Sequence, residues 1–170
     1  MKSHDNLYFS SLKISGIQFK VFTSQKGIKR IFLGTKDVQI KAASLTKLHP
    51  DDPYLFNIFT ELKEYFNRER KRFTVPIDIE GTEFQKRVWN ELMKIPYGKL
   101  MTYKAIAIKL GNENAMRAVG RANSTNHAPI LIPCHRVISS NGKLGGYSGG
   151  ISLKEKLLEL EGSLSLELFE

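Results

Sequence analysis

Apolar and polar residues alternate in the first third of the chain, a pattern typical of β-strands. Apolar side chains occupy every second position from residue 17 to residue 21, which predicts a strand with one buried face. A polar turn at residues 25–27 leads into a second apolar run at residues 28–33. We therefore expect a β-hairpin in this part of the chain.

A helix is predicted after this hairpin. Asp52 can cap its first turn and Pro53 suits its first position. One face of this helix would carry Leu55, Phe59, Leu62 and Phe66. Residues 75–79 alternate again, and the missing amide hydrogen of Pro76 places this stretch at a sheet edge or in a connector.

The spacing of apolar residues becomes helical from Thr82 onward. Thr82 and Gln85 form a predicted capping box, and the apolar face of the helix would carry Phe84, Val88, Trp89 and Leu92. We therefore place the domain boundary just before this helix, with an N-terminal domain at residues 1–78 and a C-terminal domain at residues 79–170. No internal repeat is visible in the sequence.

Two shorter helices are predicted next. One begins after Thr102 and ends at Gly111, and the other begins near Asn114. The buried face of the second would carry Ala115, Ala118, Val119 and Ala122. This spacing is typical of a helix-turn-helix. The exposed side carries Arg117, Gly120, Arg121 and Ser124, a stripe that fits close approach to a nucleic-acid backbone but also an ordinary surface helix.

A final helix is predicted from Ser152, with Glu155 completing a capping box and Gly162 ending it. Glu161 lies in its last turn, where a carboxylate opposes the helix dipole at a typical cost of ~0.3–1 kcal/mol. This unfavourable position hints at a cationic or imidazole partner for Glu161.

Charge and composition narrow the classes of function. Lys and Arg number 26 against 17 Asp and Glu, giving a net charge of +9, which makes a polyanion the first partner to consider. Hydrophobic residues make up 41% of the chain, without a long apolar stretch, so we expect a globular protein that does not interact with a membrane. Residues 1–5 lack the apolar core of a secretion signal, which favours the cytoplasm.

Within residues 126–137, the only cysteine of the chain directly follows a proline at the end of a short apolar run. Pro133 fixes the backbone that leads into Cys134, so the thiol is expected to be buried and held rigidly. A buried thiol is inert unless a base lies nearby. His135 is the candidate base, acting through a water because adjacent side chains usually point apart. A purely structural cysteine beside a hydrogen-bonded histidine remains open from these residues alone.

Several motifs in the second half of the chain strongly resemble the methylated-DNA-protein-cysteine methyltransferases, also called 6-O-alkylguanine-DNA alkyltransferases. The resemblance covers residues 82 to 162 nearly continuously, whereas residues 1 to 78 match only in the order of strands and helices. The motifs are Pro133-Cys134-His135-Arg136-Val137, Arg117-Ala118-Val119-Gly120, Tyr147-Ser148-Gly149-Gly150 and Leu157-Leu158-Glu159-Leu160-Glu161-Gly162.

The resemblance implies a fold of two parts. The first is a small α/β domain, an antiparallel sheet with a helix, packed on the second, a mainly helical domain that contains a winged helix-turn-helix. It also implies DNA repair in which an alkyl group moves from the 6-oxygen of guanine, with the 4-oxygen of thymine as a secondary target, onto a cysteine. The transfer is irreversible and occurs once per molecule. Because the target atom is stacked inside the duplex, the damaged nucleotide must be flipped out.

The resemblance also assigns roles to individual residues. Cys134 would accept the alkyl group, His135 would be the base, and Glu161 would orient it. Tyr103 would crowd the phosphate and donate a proton toward the guanine ring. Substrate would be bound by Asn126, which braces the active-site turn, by the Cys134 and Val137 carbonyls, which receive the guanine amino group, and by Tyr147 and Ser148.

DNA contacts are implied for the stripe on the predicted recognition helix. Arg117 would fill the space left by the flipped nucleotide, while Gly120 and Arg121 would lie against the minor groove together with Tyr103. The partner would be double-stranded DNA containing alkylated guanine, and the protein a monomer. No cofactor is expected, and no metal, because the chain lacks the further cysteines of the zinc site that some members carry.

Two functions from other classes compete with this interpretation. One is a helix-turn-helix regulator without chemistry, in which Cys134 serves packing only. The other is a cysteine hydrolase that uses Cys134, His135 and Glu161. A hydrolase would turn over repeatedly, whereas an alkyl acceptor stops after one stable thioether has formed.

Overall fold

The computed structural model describes residues 6–35, 40 and 42–164 and divides the chain into two compact units, Met1–Glu80 and Gly81–Glu170. Residues 1–5, on which the expectation of a cytoplasmic protein depends, lie outside the described part. No helix in the described residues is long and apolar enough to cross a membrane.

The first unit is built on a four-stranded sheet in the order β3-β2-β1-β4. Its strands are β1 (Asn6–Ile14), β2 (Ile17–Ser24), β3 (Gly27–Leu33) and β4 (Ser44–Lys47). The predicted hairpin is confirmed, because β2 and β3 pair antiparallel. β1 also pairs antiparallel with β2, whereas β4 runs parallel to β1, so the antiparallel sheet gains one parallel edge strand.

The predicted helix is α1 (Pro53–Phe66), and Asp52 caps it by accepting a hydrogen bond from the Tyr54 amide at 3.1 Å. One face of α1 packs against β1 and β2. The resulting core contains Phe19, Val21, Phe22, Leu55, Ile58, Phe59 and Leu62.

Residues 75–79 lie against the edge strand β3, as the position of Pro76 predicts. The Ile28 amide donates to the Pro76 carbonyl at 2.8 Å, and the Asp78 amide donates to the Ile28 carbonyl at 2.9 Å. A Cβ atom at Gly27 would lie 2.5 Å from the Pro76 carbonyl oxygen. Only glycine therefore permits this close pairing.

The second unit consists mainly of helices. They are α2 (Glu83–Met93), α3 (Tyr103–Lys109), α4 (Met116–Ser124) and α5 (Ile151–Glu161), with short parallel strands β5 (Met101–Thr102) and β6 (Val137–Ile138). The capping box of Thr82 and Gln85 is confirmed at the start of α2. α2 packs against α3 and α4. The Trp89 indole of α2 joins it to α4 by donating a hydrogen bond to the Ala122 carbonyl at 2.9 Å.

Two details of the predicted helices are wrong. A 3₁₀ turn at Glu113–Ala115 precedes α4, so that Ala118 is exposed and Asn123 takes a buried position instead. The capping box of Ser152 and Glu155 does not form. α5 begins one residue earlier than predicted, after Gly150 at φ +88°, and no side chain caps it.

Candidate active site

Two consecutive turns bury the only cysteine. Pro133 has φ −79° and ψ 62°, the geometry of an inverse γ-turn, and the Cys134 amide donates to the Ile132 carbonyl at 2.7 Å. A 3₁₀ turn at Cys134–Arg136 follows and leads directly into β6. Cys134 is 2% exposed at the start of this turn. The restricted φ of Pro133 thus holds the thiol rigidly, as the sequence predicts.

Asn126 supports both the turn and the sulfur. Its Nδ2 donates to the Ile132 carbonyl at 2.8 Å and to Cys134 Sγ at 3.0 Å, and its Oδ1 accepts from the Ala128 amide at 2.9 Å. Burial raises the pKa of the Cys134 thiol to about 11, although the Asn126 hydrogen bond and the charge of Lys154 act in the opposite direction. The resting sulfur is therefore a thiol at neutral pH, already facing a donor that would stabilise the thiolate.

His135 and Glu161 form a buried pair next to this thiol. His135 Nε2 lies 2.9 Å from Glu161 Oε1. Burial lowers the pKa of His135 and outweighs the opposite effect of Glu161. A neutral imidazole that donates from Nε2 to a carboxylate keeps its lone pair on Nδ1. His135 Nδ1 is buried and has no hydrogen-bond partner among the described residues, so it is free to accept a proton.

Arg136 holds the other side of the Glu161 carboxylate. Its Nε and a terminal nitrogen each donate to Glu161 at 2.9 Å, and the second terminal nitrogen donates to the Ile95 carbonyl at 2.6 Å. Burial alone would raise the pKa of Glu161, but the hydrogen bonds from His135 and Arg136 dominate and hold it at about 2. Glu161 is thus an anion throughout the physiological pH range. Its unfavourable position at the end of α5 predicted an imidazole or a cationic partner, and it has both, in His135 and Arg136.

Lys154 is a buried residue of the site that the sequence interpretation missed. It is 0% exposed, and its ammonium donates to the Val137 carbonyl at 2.5 Å and to the Leu144 carbonyl. Burial lowers its pKa to about 8, against the opposing effect of Cys134. A signal was present, because Lys154 lies on the same helical stripe as Leu157, Leu158 and Glu161.

Asn123 is a second missed residue, on the buried face of α4. It is 4% exposed, and its Nδ2 donates to the Cys134 carbonyl at 3.3 Å. The position follows Val119 by one helical turn, so a polar residue on an otherwise apolar stripe was the available sign.

Tyr103, the first residue of α3, is half-buried close to the thiol. Burial and the neighbouring Cys134 raise its pKa, and a hydrogen bond from Asn123 lowers it less. The phenol is therefore a protonated donor at neutral pH. A Cβ atom at Gly145, which has φ +71°, would lie 3.3 Å from the Tyr103 hydroxyl oxygen, so the glycine-rich loop passes closely over this hydroxyl.

The two pocket residues predicted on that loop differ in their surroundings. The Tyr147 ring lies edge-on to the His135 ring, with centroids 6.4 Å apart, and its buried hydroxyl has no hydrogen-bond partner among the described residues. Burial raises the pKa of Tyr147 well above its ordinary value. Ser148 is exposed, so the structure does not bring its side chain into the buried cluster.

Three of the four residues predicted to contact DNA lie on α4, whereas the fourth, Tyr103, begins α3. Arg117 and Arg121 are exposed, and Gly120 is half-buried between them. A Cβ atom at Gly120 would meet only the Tyr103 ring, at 4.0 Å. The basic stripe therefore lies on α4, and the opposite, buried face of the same helix carries Asn123, which donates to the Cys134 carbonyl.

The side chains gathered around Cys134 can perform proton transfer. In the described residues, four buried side-chain atoms lack a hydrogen-bond partner, and three of them belong to Asn123, His135 and Tyr147. The described part of the chain contains no group of three His, Cys, Asp or Glu side chains that could hold a metal ion. The cluster therefore offers a thiol, a base with an open nitrogen, and phenolic donors.

Both units match models of one protein family. Residues 83–163 match the DNA binding domain of 6-O-methylguanine DNA methyltransferase, and residues 16–79 match its ribonuclease-like domain. Among curated relatives, the inducible methylated-DNA–protein-cysteine methyltransferase of Bacillus subtilis is 39% identical over 170 residues, covering 95% of this chain and 94% of the relative. The methylated-DNA–protein-cysteine methyltransferase of Methanosarcina acetivorans is 56% identical over 103 residues, covering 61% of this chain and 66% of the relative.

Solved structures agree with these matches. The O6-methylguanine methyltransferase of Mycobacterium tuberculosis superposes with a TM-score of 0.83 at 34% identity, covering 96% of this chain and 99% of that chain. A structure of Mycobacterium tuberculosis OGT in complex with DNA gives the same values. Since similarity in sequence and in fold extends over nearly the whole length, the chain belongs to the methylated-DNA–protein-cysteine methyltransferase family.

Proposed function

We propose that this protein repairs DNA by transferring a methyl or other alkyl group from the 6-oxygen of guanine to Cys134 Sγ, irreversibly and once per molecule. The observation that carries the proposal is the buried His135–Glu161 pair beside the only thiol of the chain. The names of the relatives and the DNA binding domain of the matching family support it. The 4-oxygen of thymine would be a secondary target.

The transfer needs two proton movements. The Cys134 proton passes to His135 Nδ1, through a bridging water because no direct hydrogen bond joins the two side chains in the described residues. The thiolate attacks the alkyl carbon, so that an S–C bond forms as the C–O bond to guanine breaks. Tyr103 donates a proton to the departing guanine, which leaves neutral. Proton exchange with solvent then restores His135 and Tyr103, while Cys134 remains a thioether.

The environment of the sulfur supports this sequence of events. A thiol with a pKa of about 11 is not spontaneously reactive, which protects the single acceptor until substrate is bound. Asn126 Nδ2, at 3.0 Å, would then stabilise the negative charge on Sγ. Glu161 would stabilise the imidazolium that forms on His135, as an anion held in place by Arg136.

DNA would be bound by the helical unit. α3, the 3₁₀ turn and α4 follow one another in the order that a helix-turn-helix requires. In this proposal, β5, β6 and the following loop would form its wing. Arg117 would enter the duplex and occupy the space of the flipped nucleotide, whereas Arg121 would contact phosphate and Gly120 would allow close approach to the minor groove. The bound form would be double-stranded DNA containing alkylated guanine.

The guanine pocket would lie between β6 and the loop after it. The Cys134 and Val137 carbonyls would receive the exocyclic amino group, and Tyr147 and Ser148 would cover the base. All these groups come from residues 79–170, which we assign as the DNA-binding and alkyl-transfer domain, with residues 1–78 as a separate α/β domain. Because one chain supplies every group of the site, a monomer suffices.

Intact-mass measurement tests the proposed function directly. The protein is mixed with a duplex oligonucleotide that carries one 6-O-methylguanine, and the expected product carries a single added methyl group, mapped by peptide analysis to Cys134. Repair should end at one equivalent of protein, and the Cys134→Ser variant should be inactive. Repeated turnover would indicate a hydrolase, and DNA binding without any mass change would indicate a regulator.

A further inference from the structure

Asn123 connects the basic helix to the active-site turn. It projects from the buried face of α4, and its Nδ2 donates to the Cys134 carbonyl at 3.3 Å. The same carbonyl also accepts from the Val137 amide. The backbone of the reactive residue is therefore tied to both α4 and β6.

The other end of the Asn123 amide is unsatisfied. Its Oδ1 is buried and has no hydrogen-bond partner among the described residues. The interaction of the Asn123 side chain with the Tyr103 hydroxyl does not satisfy Oδ1 either, because this oxygen accepts no hydrogen bond from any described residue. A buried amide oxygen without a donor is destabilising, and such an atom beside a reactive group indicates that a ligand supplies the donor.

The only strong donor on the reacting edge of a 6-O-alkylguanine is its exocyclic 2-amino group, because alkylation of the oxygen removes the hydrogen from ring nitrogen 1. An amino group held at the Cys134 carbonyl would lie next to the Asn123 amide, since the two protein groups are themselves hydrogen-bonded. The amino group has two hydrogens, so Oδ1 can accept one of them while the other is directed to the Cys134 and Val137 carbonyls.

We propose that Asn123 is a specificity-determining residue whose Oδ1 accepts a hydrogen bond from the 2-amino group of the alkylated guanine. The proposal rests on the proposed function, which it deepens by naming the group that selects guanine over purines without a 2-amino group. A site built to bind a donor rejects the analogue that lacks it, because the protein acceptor is then left unpaired.

A chemical double-mutant cycle tests this contact. Two duplexes of the same sequence carry either 6-O-methylguanine or 6-O-methylhypoxanthine, which differ only in the 2-amino group. Single-turnover rates of methyl transfer are measured for the wild type and for Asn123→Ala, with Ser124→Ala, an exposed neighbour on α4, as the matched control. Loss of Oδ1 should slow the guanine substrate roughly tenfold more than the hypoxanthine substrate, while Ser124→Ala should leave the ratio unchanged.

The ratio of the two rates within one protein does not depend on how much of that protein is folded, so a destabilised variant still gives a valid result. Equal slowing of both substrates by Asn123→Ala would overturn the proposal and leave Asn123 as a support for the Cys134 turn. The same holds if the variant slows neither substrate. Failure of wild-type protein to transfer methyl from either duplex would instead overturn the proposed function, and this inference with it.

Discussion

Lys154 donates a hydrogen bond to the main-chain carbonyl of Val137 at 2.5 Å, from a side chain that is fully buried. The same ammonium also binds the Leu144 carbonyl of the glycine-rich loop. It thereby joins α5, β6 and the loop that would cover the guanine. Its charge also favours the thiolate of Cys134. A buried lysine is costly to maintain, and these combined contacts offer a reason for its presence.

We predict that Lys154→Met slows methyl transfer roughly tenfold or more, because two main-chain carbonyls lose a donor and the thiolate loses a nearby charge. Single-turnover rates with methylated duplex measure the first effect. The pH dependence of Cys134 alkylation by iodoacetamide measures the second, which should appear as a higher thiol pKa. The matched control is Lys156→Met on the exposed side of α5. An unchanged alkylation profile would show that Lys154 acts through packing alone.

Glu161→Gln should slow methyl transfer far more than it weakens DNA binding. The amide cannot stabilise an imidazolium on His135, and it leaves Arg136 buried without its counter-ion. Transfer rates and binding constants are measured separately, with Glu159→Gln, an exposed residue of the same helix, as the control. Equal losses in rate and in binding would mean that the carboxylate supports the fold of the DNA-binding unit rather than the base.

Acid should destabilise the protein through Glu161. Its pKa is about 2 in the folded protein, below the ordinary value of 4.5, so the unfolded chain binds more protons between these two values. The stabilising contribution is complete above about pH 5 and is lost as pH falls toward 2. Chemical denaturation between pH 2 and 6 should therefore show a gap between wild type and Glu161→Gln that narrows as the solution becomes more acidic. A gap independent of pH would contradict this linkage.

Local signals in the sequence were sufficient for most of the elements. The alternation of residues 17–21 and the cap at Asp52 depend on neighbours in the chain, and the structure has the strand and the helix that they predict. The predicted start of α5 is wrong. Ser152 and Glu155 fit a capping box in the sequence, but the helix begins at Ile151, directly after Gly150. Two helix starts that both satisfy local rules are decided by tertiary packing, which the sequence pattern does not contain.

The site was only partly predictable for a related reason. Cys134 and His135 are adjacent and follow a proline, so they attract attention in the sequence. Lys154 and Asn123 acquire meaning only through the Val137 and Cys134 carbonyls, which lie 17 and 11 residues away in the chain. A polar residue on an apolar helical stripe indicates an internal partner but does not identify it, because main-chain carbonyls carry no signature in the sequence.

The two arginines on α4 should have separable roles. Arg117→Ala should repair duplex DNA slowly yet react almost normally with free benzylated guanine, because the free base needs no flipping. Arg121→Ala, by removing a phosphate contact, should weaken binding to all sequences alike and reduce the salt dependence by about one counter-ion. Both side chains are exposed, so each variant should fold. The measurements are duplex repair, free-base reaction and the salt slope of binding. If Arg117→Ala were equally slow toward the free base, the defect would lie in the pocket, whereas two unchanged variants would make the stripe an ordinary solvated surface.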